Sequence, residues 1–264
     1  MTQQELEKLI NEAERYVLDD EKNRPILPEA EAESPLALYC DHSVLRAYTK
    51  KEVIKAFCNE AIEYGACSVA ICPCNIPYVV ECLRGTGVLA GAAIGFPLGN
   101  TTPAVKAFEA SEAVQNGAGE CDMVINIGRL RDGDYLYIYN EIKGVREAIG
   151  KDIPLKVILE NCYLNRRQKI AGSVIAKAAG ADWIKTSTGF GTSGATIDDV
   201  ILMRRAVKDE IKVKAATGVN TRKDAEEFVH AGAKRLGISR LLAIATGEDN
   251  IDCAAKHNSV PDND

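Results

Sequence analysis

The sequence predicts an α/β fold, a single (β/α)8 TIM barrel with an extra N-terminal helix, and three observations carry that expectation. The chain has 264 residues, a length that α/β barrels routinely fill as one unit. From Leu36 onward, short β-rich apolar runs alternate with longer stretches of helical periodicity, eight of each, with no Ser/Pro/Gly-rich linker between them. Four helical stretches end in one recurring phrase, Tyr64-Gly65-Ala66, Asn116-Gly117-Ala118, Ala179-Gly180-Ala181 and Ala231-Gly232-Ala233. The glycine there suits a left-handed helix cap leading into a strand buried on both faces.

In chain order, the segment 3–19 places Leu6, Leu9, Ile10, Ala13, Tyr16 and Val17 on one helical face. That face is expected to pack across the bottom of the barrel or against a second subunit, which suits a homodimer. Pro25, Pro28 and Pro35 make 20–35 an irregular connector, so 1–35 reads as N-terminal helix and connector. The barrel is expected over 36–247, with strands at 36–40, 68–72, 88–94, 122–127, 155–160, 183–186, 212–215 and 235–238. The intervening helices are expected at 51–64, 76–83, 102–116, 135–149, 166–179, 197–207, 222–231 and 240–245. The polar tail 248–264 reads as frayed.

Composition narrows the function. Hydrophobic residues make up 46% and charged residues 27%, which excludes disordered and fibrous classes. Asp and Glu outnumber Lys and Arg by 38 to 32, a net charge of -6, so the overall field disfavours nucleic acid and anionic membranes. No apolar run reaches the roughly 18 residues of a membrane span, and the N-terminus is acidic and amphipathic rather than signal-like. A cytoplasmic protein is expected. The nine cysteines then read as reduced thiols. Cys72-Pro73-Cys74 lacks zinc-ligand spacing and no second Cys/His pair follows, so no metal is expected.

Active sites of such barrels lie at the C-terminal ends of the strands. Lys185, in Trp183-Ile184-Lys185-Thr186, and Lys214, in Lys212-Val213-Lys214-Ala215, occupy strand positions that normally carry an aliphatic residue. On adjacent strands the two face each other. Two ammonium groups in a partly dry site raise each other's cost of ionisation, so one amine falls toward neutrality and becomes a nucleophile toward a carbonyl. The resulting Schiff base stabilises a neighbouring carbanion, which is aldolase or decarboxylase chemistry. Asp122, on the fourth strand, is the natural buried partner of the lysines and a proton carrier. Asp41 reads as a second inward acid or as a helix N-cap, and His42 as structural. Glu160 and Asn161 close the fifth strand at the end where a pocket forms. The hydroxyl- and glycine-rich loop from Thr186 to Thr196 suits an oxyanion, and the segments Ala215–Asn220 and Gly237–Arg240 follow the strands where such barrels bind phosphate.

With these residues in view, the chain resembles the deoxyribose-phosphate aldolase family from about Leu36 to Ala245. The resemblance rests on Asp41-His42-Ser43-Val44-Leu45, Ile94-Gly95-Phe96-Pro97-Leu98-Gly99, Asp122-Met123-Val124-Ile125-Asn126-Ile127-Gly128, Leu155-Lys156-Val157-Ile158-Leu159-Glu160 and Lys185-Thr186-Ser187-Thr188-Gly189-Phe190-Gly191. It implies a cofactor-free barrel that interconverts 2-deoxyribose 5-phosphate with acetaldehyde and glyceraldehyde 3-phosphate. Lys185 matches the Schiff-base lysine, Lys214 the lysine that lowers its pKa, and Asp122 the proton-relaying acid. Asp41, Ser43 and Thr188 match sugar contacts, while Gly189, Gly218, Gly237 and Ser239 fall at the phosphate end.

Three departures gather at that end. Thr217 stands where the family usually has glycine, Asn220 where it has arginine, and Arg240 where it has serine. Arg240 either supplies a bidentate anion contact, obstructs the phosphate, or turns to solvent. The readings to be separated are therefore this aldolase, an aldolase of the same mechanism with another aldehyde or sugar substrate, and a non-catalytic sugar-phosphate binding barrel.

Overall fold

The computed structural model describes residues 1–24 and 35–248. Most of the expected connector, 25–34, and all but the first residue of the expected frayed tail, 249–264, lie outside the described residues. Eight parallel strands close into a barrel in sequence order: β1 Cys40–Val44, β2 Ser68–Ile71, β3 Leu89–Ile94, β4 Glu120–Val124, β5 Leu155–Ile158, β6 Trp183–Lys185, β7 Lys212–Ala216 and β8 Arg235–Ile238. Pairing of β1 with β8 completes the ring. The helices are α1 Gln3–Asn23, α2 Lys51–Tyr64, α3 Ile76–Cys82, α4 Pro103–Gln115, α5 Ile127–Arg131, α6 Tyr135–Ile149, α7 Arg166–Ala178, α8 Ile197–Val207, α9 Arg222–His230 and α10 Leu241–Thr246. The glycines of the recurring phrase, Gly65, Gly117, Gly180 and Gly232, all have positive φ, the conformation that lets the chain reverse from helix into strand.

The first strand departs from expectation. The apolar run Leu36–Tyr39 is a 3-10 turn, and the strand is the polar sequence Cys40-Asp41-His42-Ser43-Val44. Hydrophobicity misplaces it because this strand turns Asp41 into a barrel lined by charge. The fourth strand likewise starts two residues earlier than expected, at Glu120, and so carries a second carboxylate to the inside.

The N-terminal helix also differs. It runs through Asn23 rather than ending at Asp19, and it lies on the outside of the helical ring. Ala13 and Val17 pack against Ile170 and Val174 of α7 and Leu202 and Ala206 of α8. Asp20, expected in the connector, is buried and accepts a hydrogen bond from Arg205 at 2.5 Å. Ion pairing of Glu21 with Arg166 at 2.7 Å adds to the seam. The apolar ridge of α7 and α8 supplies the partner that was expected at the barrel bottom or on another subunit.

Alternation along the strands sends every second residue inward. The inward positions of β2 and β3 are small, at Ser68, Ala70, Gly91 and Ala93, and the space is filled by long side chains from the opposite strands. A Cβ on Gly91 would lie 3.1 Å from Glu120 Oε1, and one on Gly237 would lie 3.2 Å from Lys214 Cε. These two glycines admit the charged side chains to the interior.

Candidate active site

Asp41 of β1, Glu120 and Asp122 of β4, Lys156 of β5, Lys185 of β6, Lys214 of β7 and Arg235 of β8 all project into the barrel. The register sets Asp122 beside Lys156, Lys185 beside Lys214 and Lys214 beside Arg235. Asp122 is the hub. Its Oδ1 accepts from Lys156 Nζ at 2.9 Å, and its Oδ2 accepts from Lys185 Nζ at 2.9 Å and Lys214 Nζ at 2.7 Å. Lys214 also donates to Asp41 Oδ2 at 2.5 Å, and Arg235 donates to Asp41 Oδ1 at 2.5 Å. Lys156 pairs with Glu120 Oε1 at 2.6 Å. Three carboxylates thus face four cationic side chains, and the excess is one cation. Buried charge is tolerated only when paired this closely.

That excess falls on Lys185. Burial pushes its ammonium down, and repulsion from Lys214 and Lys156 adds to this; Asp122 opposes both, leaving a pKa of about 8. Burial is the larger cause, with the neighbouring lysine second to it in the downward direction. Burial would raise Asp122, yet Lys156, Lys185 and Lys214 outweigh it and hold the carboxyl well below its usual range. Lys156 goes the other way from Lys185: burial disfavours its charge, but Asp122, Glu120 and Asp41 raise its pKa above the ordinary lysine value.

Above this network, at the C-terminal ends of the strands, opens a cleft of about 350 Å³. Lys185 is at its floor, and Ser43, Thr188, Gly189, Gly218, Gly237 and Ser239 are in its wall. The other expected contacts lie elsewhere. Asp41 is fully buried beneath the lysines, held by Lys214 and Arg235, and is neither a helix cap nor part of the cleft lining. Arg240 is the half-buried residue that precedes α10 and is outside the lining as well. Thr217 and Asn220 do line it. Thr217 has φ 68, left-handed backbone in which a β-branched residue is strained, and its Oγ1 would be 2.9 Å from a Cβ on Gly189.

Glu160 organises the wall from beneath. Itself left-handed at φ 56, it accepts the Thr188 N–H at 3.2 Å and the Thr188 hydroxyl. The Thr188 oxygen accepts from Phe190 N–H at 3.0 Å, so the loop after β6 is tied to the end of β5. His42 points away from the barrel interior, stacked on Phe57 at 4.2 Å with its Nε2 2.8 Å from Glu60 Oε2. Asn161 is buried with its Nδ2 against Met203 Sδ, away from the lining. Among the described residues no disulfide forms, and no helix is long and apolar enough to cross a membrane.

A family model described as DeoC/LacD family aldolase matches residues 36–245. The chain belongs to this aldolase family. Among the relatives of this family member, a deoxyribose-phosphate aldolase of Clostridium perfringens (strain 13 / Type A) is 46% identical over 213 residues, covering 81% of this chain and 95% of that protein. One of Thermococcus gammatolerans is 46% identical over 220 residues, covering 82% and 98%. Among solved structures, a putative deoxyribose-phosphate aldolase from Coccidioides immitis superposes with a TM-score of 0.87 at 36% identity, over 94% of this chain and 98% of that one. The deoxyribose phosphate aldolase of Aeropyrum pernix, described as tetrameric, gives 0.75 at 28% identity, over 88% and 96%.

Four charged residues of this aldolase's interior and wall were not singled out from the sequence. Lys156 carried the same signal as Lys185 and Lys214, a lysine inside an apolar strand. Glu120, two residues before Asp122, shares its face. Arg235 opens the last strand, where a cation at a strand's first position carries no signal of its own, and the structure leaves it half-buried. Arg46, in the cleft wall, carried no signal, since a lone cation in a polar loop is indistinguishable from a solvated one.

Proposed function

We propose that this aldolase is a deoxyribose-phosphate aldolase, cleaving 2-deoxy-D-ribose 5-phosphate reversibly to acetaldehyde and D-glyceraldehyde 3-phosphate through a Schiff base on Lys185. The observation that carries the reading is a buried amine with a pKa of about 8 at the floor of a cleft, hydrogen-bonded to Asp122. The neutral Nζ adds to the C1 aldehyde of the open-chain sugar. The carbinolamine hydroxyl leaves as water with a proton delivered through the Asp122–Lys214 pair, giving a cationic imine. As the C3 hydroxyl gives up its proton, the C2–C3 bonding pair moves into the imine and glyceraldehyde 3-phosphate departs. The enamine is then protonated at C2 and hydrolysed to acetaldehyde and free Lys185. The imine is the electron sink, so the scheme calls for no metal or organic cofactor.

Lys214 and Asp122 hold and move the proton, Ser43 and Thr188 face the sugar, and Gly189, Gly218, Gly237 and Ser239 receive the phosphate in this proposal. The partners are small molecules, not nucleic acid or membrane, and the free thiols among the described residues suit the cytoplasm. Self-association into a homodimer is proposed on the exposed side chains of Leu98, Val105 and Phe108, because the apolar face of α1 is already covered. A monomer in sedimentation at assay concentration overturns that part.

The test of the reaction is trapping. Borohydride added with acetaldehyde is expected to place one adduct, on the peptide containing Lys185, and Lys185→Ala to abolish both adduct and turnover. An adduct confined to Lys214, or chelator-sensitive cleavage without any adduct, overturns the assignment.

A further inference from the structure

The cleft lining contains two cationic side chains and, among the described residues, no carboxylate. In a chain of net charge -6 this is a local inversion of sign. One cation, Lys185, is committed to the floor. The other is Arg46, on the loop after β1, and because β1 pairs with β8 that loop stands next to the loop of Ser239. Arg46 shares the cleft lining with Gly218, Gly237 and Ser239, and the ring its guanidinium lies over belongs to Phe190, the neighbour of Gly189.

Its guanidinium is held there without being neutralised. The Arg46 Cζ lies 4.8 Å from the centroid of Phe190, and Phe190 is braced edge-on by Phe96 at 5.4 Å. Phe190 is in turn anchored through its N–H to Thr188. Among the described residues no carboxylate pairs with Arg46. A guanidinium lying over an aromatic face keeps its in-plane N–H donors available, and their fork matches two oxygens of a phosphate. Arg240, for which an anion contact was one of three readings of the sequence, is outside the lining.

We propose that Arg46, carried on the Phe190 ring, is the side chain that binds the phosphate of the substrate and gives the enzyme its preference for phosphorylated over free sugars. The proposal rests on the aldolase reading above. Its test compares wild type, Arg46→Ala and Arg46→Lys on 2-deoxyribose 5-phosphate and on 2-deoxyribose, with inorganic phosphate as a competing ligand. Arg46→Ala is expected to lower kcat/KM for the phosphorylated sugar at least about tenfold more than for the free sugar, through KM, as for loss of a charge-assisted contact. Inhibition by inorganic phosphate should weaken in parallel. Arg46→Lys should recover part of the loss, since it keeps the charge but not the fork. Equal losses on both sugars, or undiminished phosphate inhibition, overturn the proposal and leave Arg46 a brace for the loop. Acetaldehyde trapping on Lys185 keeps the two readings separate: if wild type forms no adduct the aldolase reading fails, and phosphate binding by the variants still decides Arg46.

Discussion

Lys185 and Lys214 hydrogen-bond to the same oxygen, Oδ2 of Asp122, at 2.9 and 2.7 Å. The two amines are therefore held within two hydrogen-bond lengths of each other by a carboxylate that both attracts them and sets how strongly they repel. Lys214 bonds to a second carboxylate, Asp41, whereas Lys185 has Asp122 alone among the described carboxylates and faces the cleft. The asymmetry makes Lys185 the amine that gives up its proton.

The first consequence is a pH profile. With the Lys185 pKa at about 8, the neutral nucleophile predominates above that pH and is lost below it. The rate of Schiff-base formation with acetaldehyde is expected to level off above pH 8 and to fall toward tenfold per unit below about pH 7. A profile flat from pH 6 to 9 would falsify the assignment of Lys185 as the titrating nucleophile.

Replacing Lys214 acts on two quantities at once. Lys214→Met removes a like charge that depresses Lys185, so the acid limb of the rate profile is expected to move to higher pH. It also deprives Asp41 and Asp122 of a buried partner, at a cost of about 3–5 kcal/mol of stability. Thermal denaturation and the pH profile measured on one preparation check both, and an unmoved limb in a folded variant removes Lys214 from the electrostatic argument.

Thr217 offers a test with the opposite sign for stability. Its left-handed backbone costs about 1–3 kcal/mol for a non-glycine residue, part of which Thr217→Gly returns to unfolded-chain entropy, about 0.5–1 kcal/mol. The variant is expected to melt at the same temperature or higher, and to lower KM for the phosphorylated sugar by widening the space beside Gly189. A clear drop in melting temperature shows that the Thr217 contacts outweigh the strain.

Local pattern alone established the eight-fold alternation of strand and helix, and capping glycines announced four of the helix-to-strand turns. The end of the barrel that carries the chemistry followed from strand direction, and Lys185, Lys214 and Asp122 stood out because an ionised residue inside an apolar strand needs a partner. Those signals are local, since they depend on residues within a few positions of one another.

What only the tertiary structure decided depends on closure. Whether Lys156, Glu120 and Arg235 join the ion network around Asp122 and Asp41 or face solvent is set by register between strands far apart in sequence. The first strand falls on the polar Cys40–Val44 rather than on the apolar Leu36–Cys40 run because the barrel interior is filled by an ion network, where hydrophobicity marks the wrong residues. Arg240 and Arg46 are both arginines beside strand ends, and only Arg46 lines the cleft, with its guanidinium over the ring of Phe190. A sequence names the charges, but which of them meet is fixed by how far each strand is shifted against the next as the barrel closes.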